Sequence, residues 1–318
     1  MTGPEPMADS DESIDPPDGG DTGDPPVCAM DPREIASRSF TLGPQRVYVL
    51  THIATGATAS ARAQDGEPLT PLLRADLIRR LAVEVLGRSM TEAQWLGCPD
   101  PRPMLLYLKG KATRRKLRLF ACAMSRRSLH LLAGLDGPAL LRQAEDATDA
   151  GGDATTVRLP IEFLQEYAAR HSINARGREA QRGEVEACHL LQRCLDPVHP
   201  VSQTEWEAAW HNAMFARQPF EWTDPHAREG GQAEQVAAIR DIFGNPFRSA
   251  AFDPAWLTPS MAAQARGVYE GRAFDRLPIL ADALEEAGCD NGELLAHCRG
   301  DGPHVRGCWA VDLMLGRD

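Results

Sequence analysis

The sequence predicts a mainly α protein: a helical domain preceded by a small ββα module and a disordered acidic N-terminal tail. Three observations carry this expectation. Apolar residues recur at helical spacing through most of the chain after residue 70. Residues 45–53 (QRVYVLTHI) are instead rich in β-branched and aromatic side chains. The first 30 residues contain almost nothing that folding could bury. With 318 residues, 43% hydrophobic and 25% charged, the chain can build a sizeable core plus one or two smaller modules, which excludes disorder of the whole.

Residues 1–32 are the tail. Eight acids and no Lys or Arg occupy the first 30 positions, which leaves only −3 of the net charge of −11 for everything after them. The acidity therefore belongs to the tail and says little about what the folded part binds. Residues 33–88 are the ββα module. Residues 45–53 form one strand, Ala54-Thr55-Gly56 the turn, and residues 57–63 the returning strand. Residues 72–86 then repeat Leu73, Leu77, Ile78, Leu81 and Val85 at helical spacing and stop at Gly87, a good C-cap.

Residues 89–318 are the helical domain. Thr91 or Ser89 caps a helix containing Trp95, with an acid in its first turn. A short helix follows near 104–108 and a longer one from about Thr113, where Leu117, Phe120, Ala121, Met124, Leu129 and Leu132 trace an apolar stripe. Residues 135–235 are a variable middle with weaker signals. A Gly/Asp/Thr-rich break at 148–156 precedes helical patterns at 160–171 and 179–195, and Trp206, Trp210 and Met214 then mark one helix face. Residues 235–243, 261–269, 277–287, 292–298 and 307–315 each read as a short helix. Asn245-Pro246, Asp253-Pro254 and Gly300-Asp301-Gly302-Pro303 separate them.

No basic-then-apolar leader opens the chain, and no stretch reaches the roughly 18 apolar residues needed to span a bilayer. The eight cysteines, Cys28 in the tail and the others spread over helical-looking stretches, read as reduced thiols, so no membrane association and a cytoplasmic location are expected.

Two blocks are more specific. MTEAQWLGCPDPRPMLLYLKGKATRRKLRLFACAMSRR (90–127) is one. The other, within 240–316, holds RDIFGNPFRSAAFDPAWL and RAFDRLPILADALEEAGCDNGELLAHCRGDGPHVRGCWAVDLMLG. Together they resemble a large bacterial family of many paralogues that has no assigned function. Where that family's first block usually reads ACACCRR, this chain has Ala121-Cys122-Ala123-Met124-Ser125-Arg126-Arg127, so no activity resting on that cysteine cluster is expected. The ββα module reads as an addition to the family unit. VLTHIATG (49–56) is similar to a strand-turn segment of peptide-chain release factors. Their catalytic Gly-Gly-Gln is replaced here by Thr41-Leu42-Gly43-Pro44-Gln45, so peptidyl-tRNA hydrolysis is not expected.

Residues 101–135 hold nine basic residues and no acid: Arg102, Lys109, Lys111, Arg114, Arg115, Lys116, Arg118, Arg126 and Arg127. Such density suits phosphate neutralisation. It equally suits a solvated helix face or pairing with acids elsewhere in the fold. The acidic tail could also fold back over this patch. Near the C-terminus Cys289, His297, Cys298, His304 and Cys308 supply zinc-type donors, without the paired C-x-x-C knuckles of a strong zinc signature. In the cluster of Cys188, His189 and Cys194, the adjacent Cys188 and His189 point to different helix faces, which argues against a metal or nucleophile role, and the thiols read as core. Trp95, Trp256 and Trp309 read as buried anchors before base-stacking platforms. Asp275, Asp282 and Asp312 read as caps or surface ion pairs.

No phosphate loop, nucleophile elbow or H-E-x-x-H helix is found. The first expectation is a non-enzymatic interaction or regulatory module with a protein partner. Nucleic-acid binding through residues 109–127 is the alternative. A zinc-stabilised or hydrolytic C-terminal domain is the third.

Overall fold

A computed structural model describes residues 31–42, 44–64, 67–132, 135–151, 164–169, 179–195, 205–215, 227–248 and 250–318. Residues 1–30 of the acidic tail, the 148–156 break beyond Gly151, and the side chains of Trp206 and Met214 lie outside the described residues. Within them the protein is mainly helical, with one small sheet before the helices.

That sheet has three strands where the sequence pattern indicates two. Strand β1 (Ile35–Leu42) precedes β2 (Gln45–His52) and β3 (Thr58–Gln64), all antiparallel in the order β1-β2-β3. β1 escapes sequence reading because nearly all of it is exposed; no apolar alternation marks it, and pairing with β2 makes it a strand. The register places Tyr48, Leu50, Ala59 and Ala61 on the inner face. There they pack on Leu77 and Leu81 of α1 (Pro71–Ser89).

Helix α1 does not end at Gly87. It runs to Ser89, and Gly87 serves a close approach to α3 (Pro101–Leu108): a Cβ there would lie 2.5 Å from Leu106 Cβ. The glycine is thus explained by packing rather than by a C-cap. Between them α2 (Glu92–Gly97) is opened by a capping box in which Thr91 and Gln94 satisfy each other's backbone N–H.

Helix α4 (Arg114–Arg126) is the centre of the molecule. Leu117, Phe120 and Met124 join the core built with Trp95, Met104, Leu190 and Ile239, while Ala121 and Cys122 join a second core with Leu141, Cys188 and Leu191. A helix buried on two sides leaves little solvated surface for its charges. Leu129 does not continue its stripe, because α4 stops at Arg126 and a 3₁₀ turn takes over.

Around α4 stand α5 (Gly137–Asp149), where the sequence signal is weak, α6 (Glu179–Leu195), α7 (Glu205–Phe215) and α8 (Ala227–Phe243). The chain then closes with α9 (Pro259–Gly271), α10 (Leu277–Glu286), α11 (Gly292–Arg299) and α12 (Trp309–Leu315). These four share a core of Tyr269, Leu277, Leu284, Leu294, Trp309 and Val311. No helix among the described residues is long and apolar enough to cross a membrane.

Candidate functional site

Of the basic stretch, the side chains in α4 are largely engaged inside the fold. Arg115 Nε donates to Asp149 Oδ1 at 2.8 Å, while its Nη atoms meet Asp312 at 2.8 and 3.0 Å and the Tyr269 hydroxyl. The Tyr269 hydroxyl donates to Asp149 Oδ2 at 2.8 Å, and Arg306 Nε donates to the same oxygen at 2.8 Å. Arg317 adds a third guanidinium over the Tyr269 ring, 4.4 Å from its centre. Asp312, expected on the surface, is 1% exposed. Burial raises the Asp149 carboxyl, but hydrogen bonds from Tyr269 and Arg115 more than offset this and hold it below the ordinary range. Burial pushes the Tyr269 phenol up to about 12.

The remaining cations divide by position. Lys116 donates to Ile242 O at 2.9 Å, and burial pushes its ammonium down. Arg126 pairs with the buried Glu145 at 2.6 Å, Arg127 with Glu234 at 2.8 Å, and Arg102 with Asp100 at 2.6 Å. Arg118 is half-buried near Cys122 and Cys194. Lys109, Lys111 and Arg114 are exposed. Lys111 sits 3.1 Å above the Tyr107 ring, and with Lys109 it lines a cleft of about 610 Å³ between α1 and α3. The stretch is therefore a set of internal ion pairs with a few outward cations, not one continuous basic surface.

The C-terminal Cys/His group splits as well. Cys289 and Cys298 lie in the apolar core, where burial raises the Cys298 thiol to about 12. His297, His304 and Cys308 converge, and the fourth member is an acid that the spacing did not suggest, Asp241 of α8. Asp241 Oδ1 lies 2.8 Å from His304 Nδ1 and 3.1 Å from His297 Nε2, which in turn lies 3.2 Å from Cys308 Sγ. The other carboxylate oxygen accepts Val305 N at 2.9 Å. One signal for Asp241 was present: it falls on the buried side of α8, beside Ala238 and Ile242, where an acid needs a partner.

The third feature is the outer face of the sheet. The register puts Phe40, Leu42 and Arg38 of β1 beside Val47 and Val49 of β2 and Ser60 and Arg62 of β3. Phe40 is 48% and Leu42 55% exposed. Among the described residues no carboxylate stands on this face and no further strand pairs with β1. Of the tryptophans, Trp95 is buried and donates Nε1–H to Gly244 O at 3.1 Å; Trp309 is buried and Trp256 half-buried, both in the C-terminal core. Cys188 and Cys194 are buried.

No protein-family model, curated protein or solved structure matches the chain. Function is therefore read from the side chains themselves.

Proposed function

We propose that the chain is a non-enzymatic protein-interaction module, and that the outer face and free edge of the sheet receive an extended, acidic segment of a partner protein. The observation that carries this reading is the composition of that face: the exposed Phe40 and Leu42 lie beside the buried Val47 and Val49 and are flanked by Arg38 and Arg62, with no acid and no further strand on β1 among the described residues. An open edge offers main-chain hydrogen bonds to an added strand, and alternate side chains supply selectivity. The two arginines favour a partner carrying carboxylates. A nucleic-acid surface is less well supported here, because one phenyl ring and two cations make a sparse platform for bases and phosphates.

The reading is tested by placing a photo-crosslinking amino acid at Phe40 and, as control, at the still more exposed Ile279 of α10, in the native cell. A discrete protein adduct at position 40 only, lost in Arg38→Glu/Arg62→Glu, is expected. An adduct that nuclease digestion removes would point to nucleic acid instead, and no adduct at position 40 would sink the proposal.

A further inference from the structure

We propose that Asp241, His297, His304 and Cys308 form a structural zinc site that clamps α8 to the C-terminal helices. Their donor atoms all lie within 4.8 Å of one another. A tetrahedral zinc with bonds of about 2.0 Å to N or O and about 2.3 Å to S would set its ligand atoms roughly 3.3 to 3.5 Å apart. Three of the six separations, 2.8, 3.1 and 3.2 Å, lie within about half an ångström of this, and all six are within 4.8 Å. One carboxylate, two imidazoles and one thiolate suit zinc better than magnesium or calcium, which prefer oxygen. Four protein donors complete a tetrahedron, which makes the site structural rather than hydrolytic.

The hydrogen bonds around the group are those a metal needs. His304 Nε2 faces Gly300 O at 3.2 Å. A carbonyl only accepts, so Nε2 carries the proton, and neutral His304 then turns the Nδ1 lone pair towards the Asp241 carboxylate 2.8 Å away. Two lone pairs at that distance repel unless a cation sits between them. A backbone carbonyl that orients a metal-bound imidazole in this way is the usual outer partner of a zinc histidine. His297 Nε2 likewise faces two atoms that can ligate a metal, Asp241 Oδ1 and Cys308 Sγ once the thiol gives up its proton.

The backbone holds these donors in place from three parts of the fold. Asp241 is fixed on α8, His297 on α11, and Cys308 follows Gly307, whose φ of +92° and close approach to Leu119 admit no side chain. The competing explanation is a proton in place of the metal, with His304 an imidazolium paired to Asp241.

Metal analysis of the full chain, purified without an affinity tag, separates the two. About one equivalent of zinc is expected, with a melting temperature that falls on chelation and recovers on adding one equivalent back. Cobalt(II) reconstitution should give the strong visible bands of a tetrahedral site and a thiolate-to-cobalt charge-transfer band that Cys308→Ser abolishes. Asp241→Asn should weaken retention, whereas Cys289→Ala and Cys298→Ala should keep full stoichiometry. Less than about 0.2 equivalents of zinc in the folded wild type, together with no cobalt charge-transfer band, would overturn the site in favour of the proton-bridged cluster. So would zinc retained in Cys308→Ser but lost in Cys289→Ala or Cys298→Ala.

Discussion

The outer face of the sheet and the junction of α4 with α9 and α12 are made from the same ingredients and end in opposite states. At the junction Arg115, Arg306 and Arg317 surround Tyr269, and Asp149 and Asp312 are in place to receive them. On the sheet Arg38 and Arg62 flank Phe40, Val47 and Val49, and among the described residues no acid stands on that face. The first combination is closed within the chain; the second meets no acid among the described residues. Cationic and aromatic residues alone do not mark a binding surface. Whether the complementary carboxylates come from the same chain decides it.

The largest expected effect comes from opening the closed region. Asp312→Ala leaves the Arg115 guanidinium half-paired in a buried setting and should cost about 3–5 kcal/mol, measured by urea denaturation. Arg114→Glu, one residue away on the exposed side of α4, should change stability by no more than about 1 kcal/mol. Equal effects would remove the distinction between the neighbouring arginines. It follows that reversing Arg114, Arg115 and Lys116 together would damage the fold, so nucleic-acid binding through this stretch is better probed at Lys109, Lys111 and Arg114.

The next effect lies where the sheet module meets the helical body. Gly87→Ala drives a methyl against Leu106 and should destabilise by roughly 1–3 kcal/mol despite the better helix propensity of alanine. Thermal unfolding of the variant measures it; an unchanged or raised melting temperature would show that α1 and α3 can separate freely.

Titration sharpens the contrast further. The Tyr269 phenol is held at about 12 against about 10 in an unfolded chain. The folded state therefore keeps a proton that the unfolded state releases. The contribution is full below pH 10 and is lost as pH rises towards 12. Asp149 has the opposite sign. Its folded value is lowered, so its contribution is present above the ordinary carboxylate range and is lost as pH falls through the folded value. Stability-pH curves of Tyr269→Phe and Asp149→Asn should lose the alkaline and the acid slope, respectively. Curves that superimpose on the wild type would place both groups outside the network.

The smallest effect on stability should come from the open region. Phe40→Asp on the exposed face should shift stability by no more than about 0.5 kcal/mol while abolishing partner capture at the sheet. A loss comparable with that of Asp312→Ala would mean that Phe40 supports the fold, and would remove the basis for a free docking face.

Local chemistry was legible in the sequence wherever cause and consequence lie within a few residues. Thr91 and Thr113, where the pattern predicts helix starts, each open a helix through a side-chain contact to a nearby N–H; Asp100 and Asn291 cap α3 and α11 in the same way, but the apolar pattern did not single them out. Leu77 and Leu81 mark the face α1 buries. β1 was not legible, because its order comes from β2 rather than from its own apolar pattern. For the candidate metal site, the sequence supplied His297, His304 and Cys308 but could neither exclude Cys289 and Cys298 nor bring in Asp241.

What the sequence determined by itself is thus the helical class, most helix starts, the acidic character of the first 30 residues and the density of cations between residues 101 and 135. Only the tertiary structure decided what those cations do. Arg114 and Arg115 are indistinguishable by composition and adjacent in the chain. On a helix adjacent side chains point about 100° apart, and that rotation turns one outward and the other into contact with Asp312, 197 residues away. The same applies to Asp241, which meets His304 across 63 positions. Pairing at such range is set by how the helices pack, and no local periodicity records it.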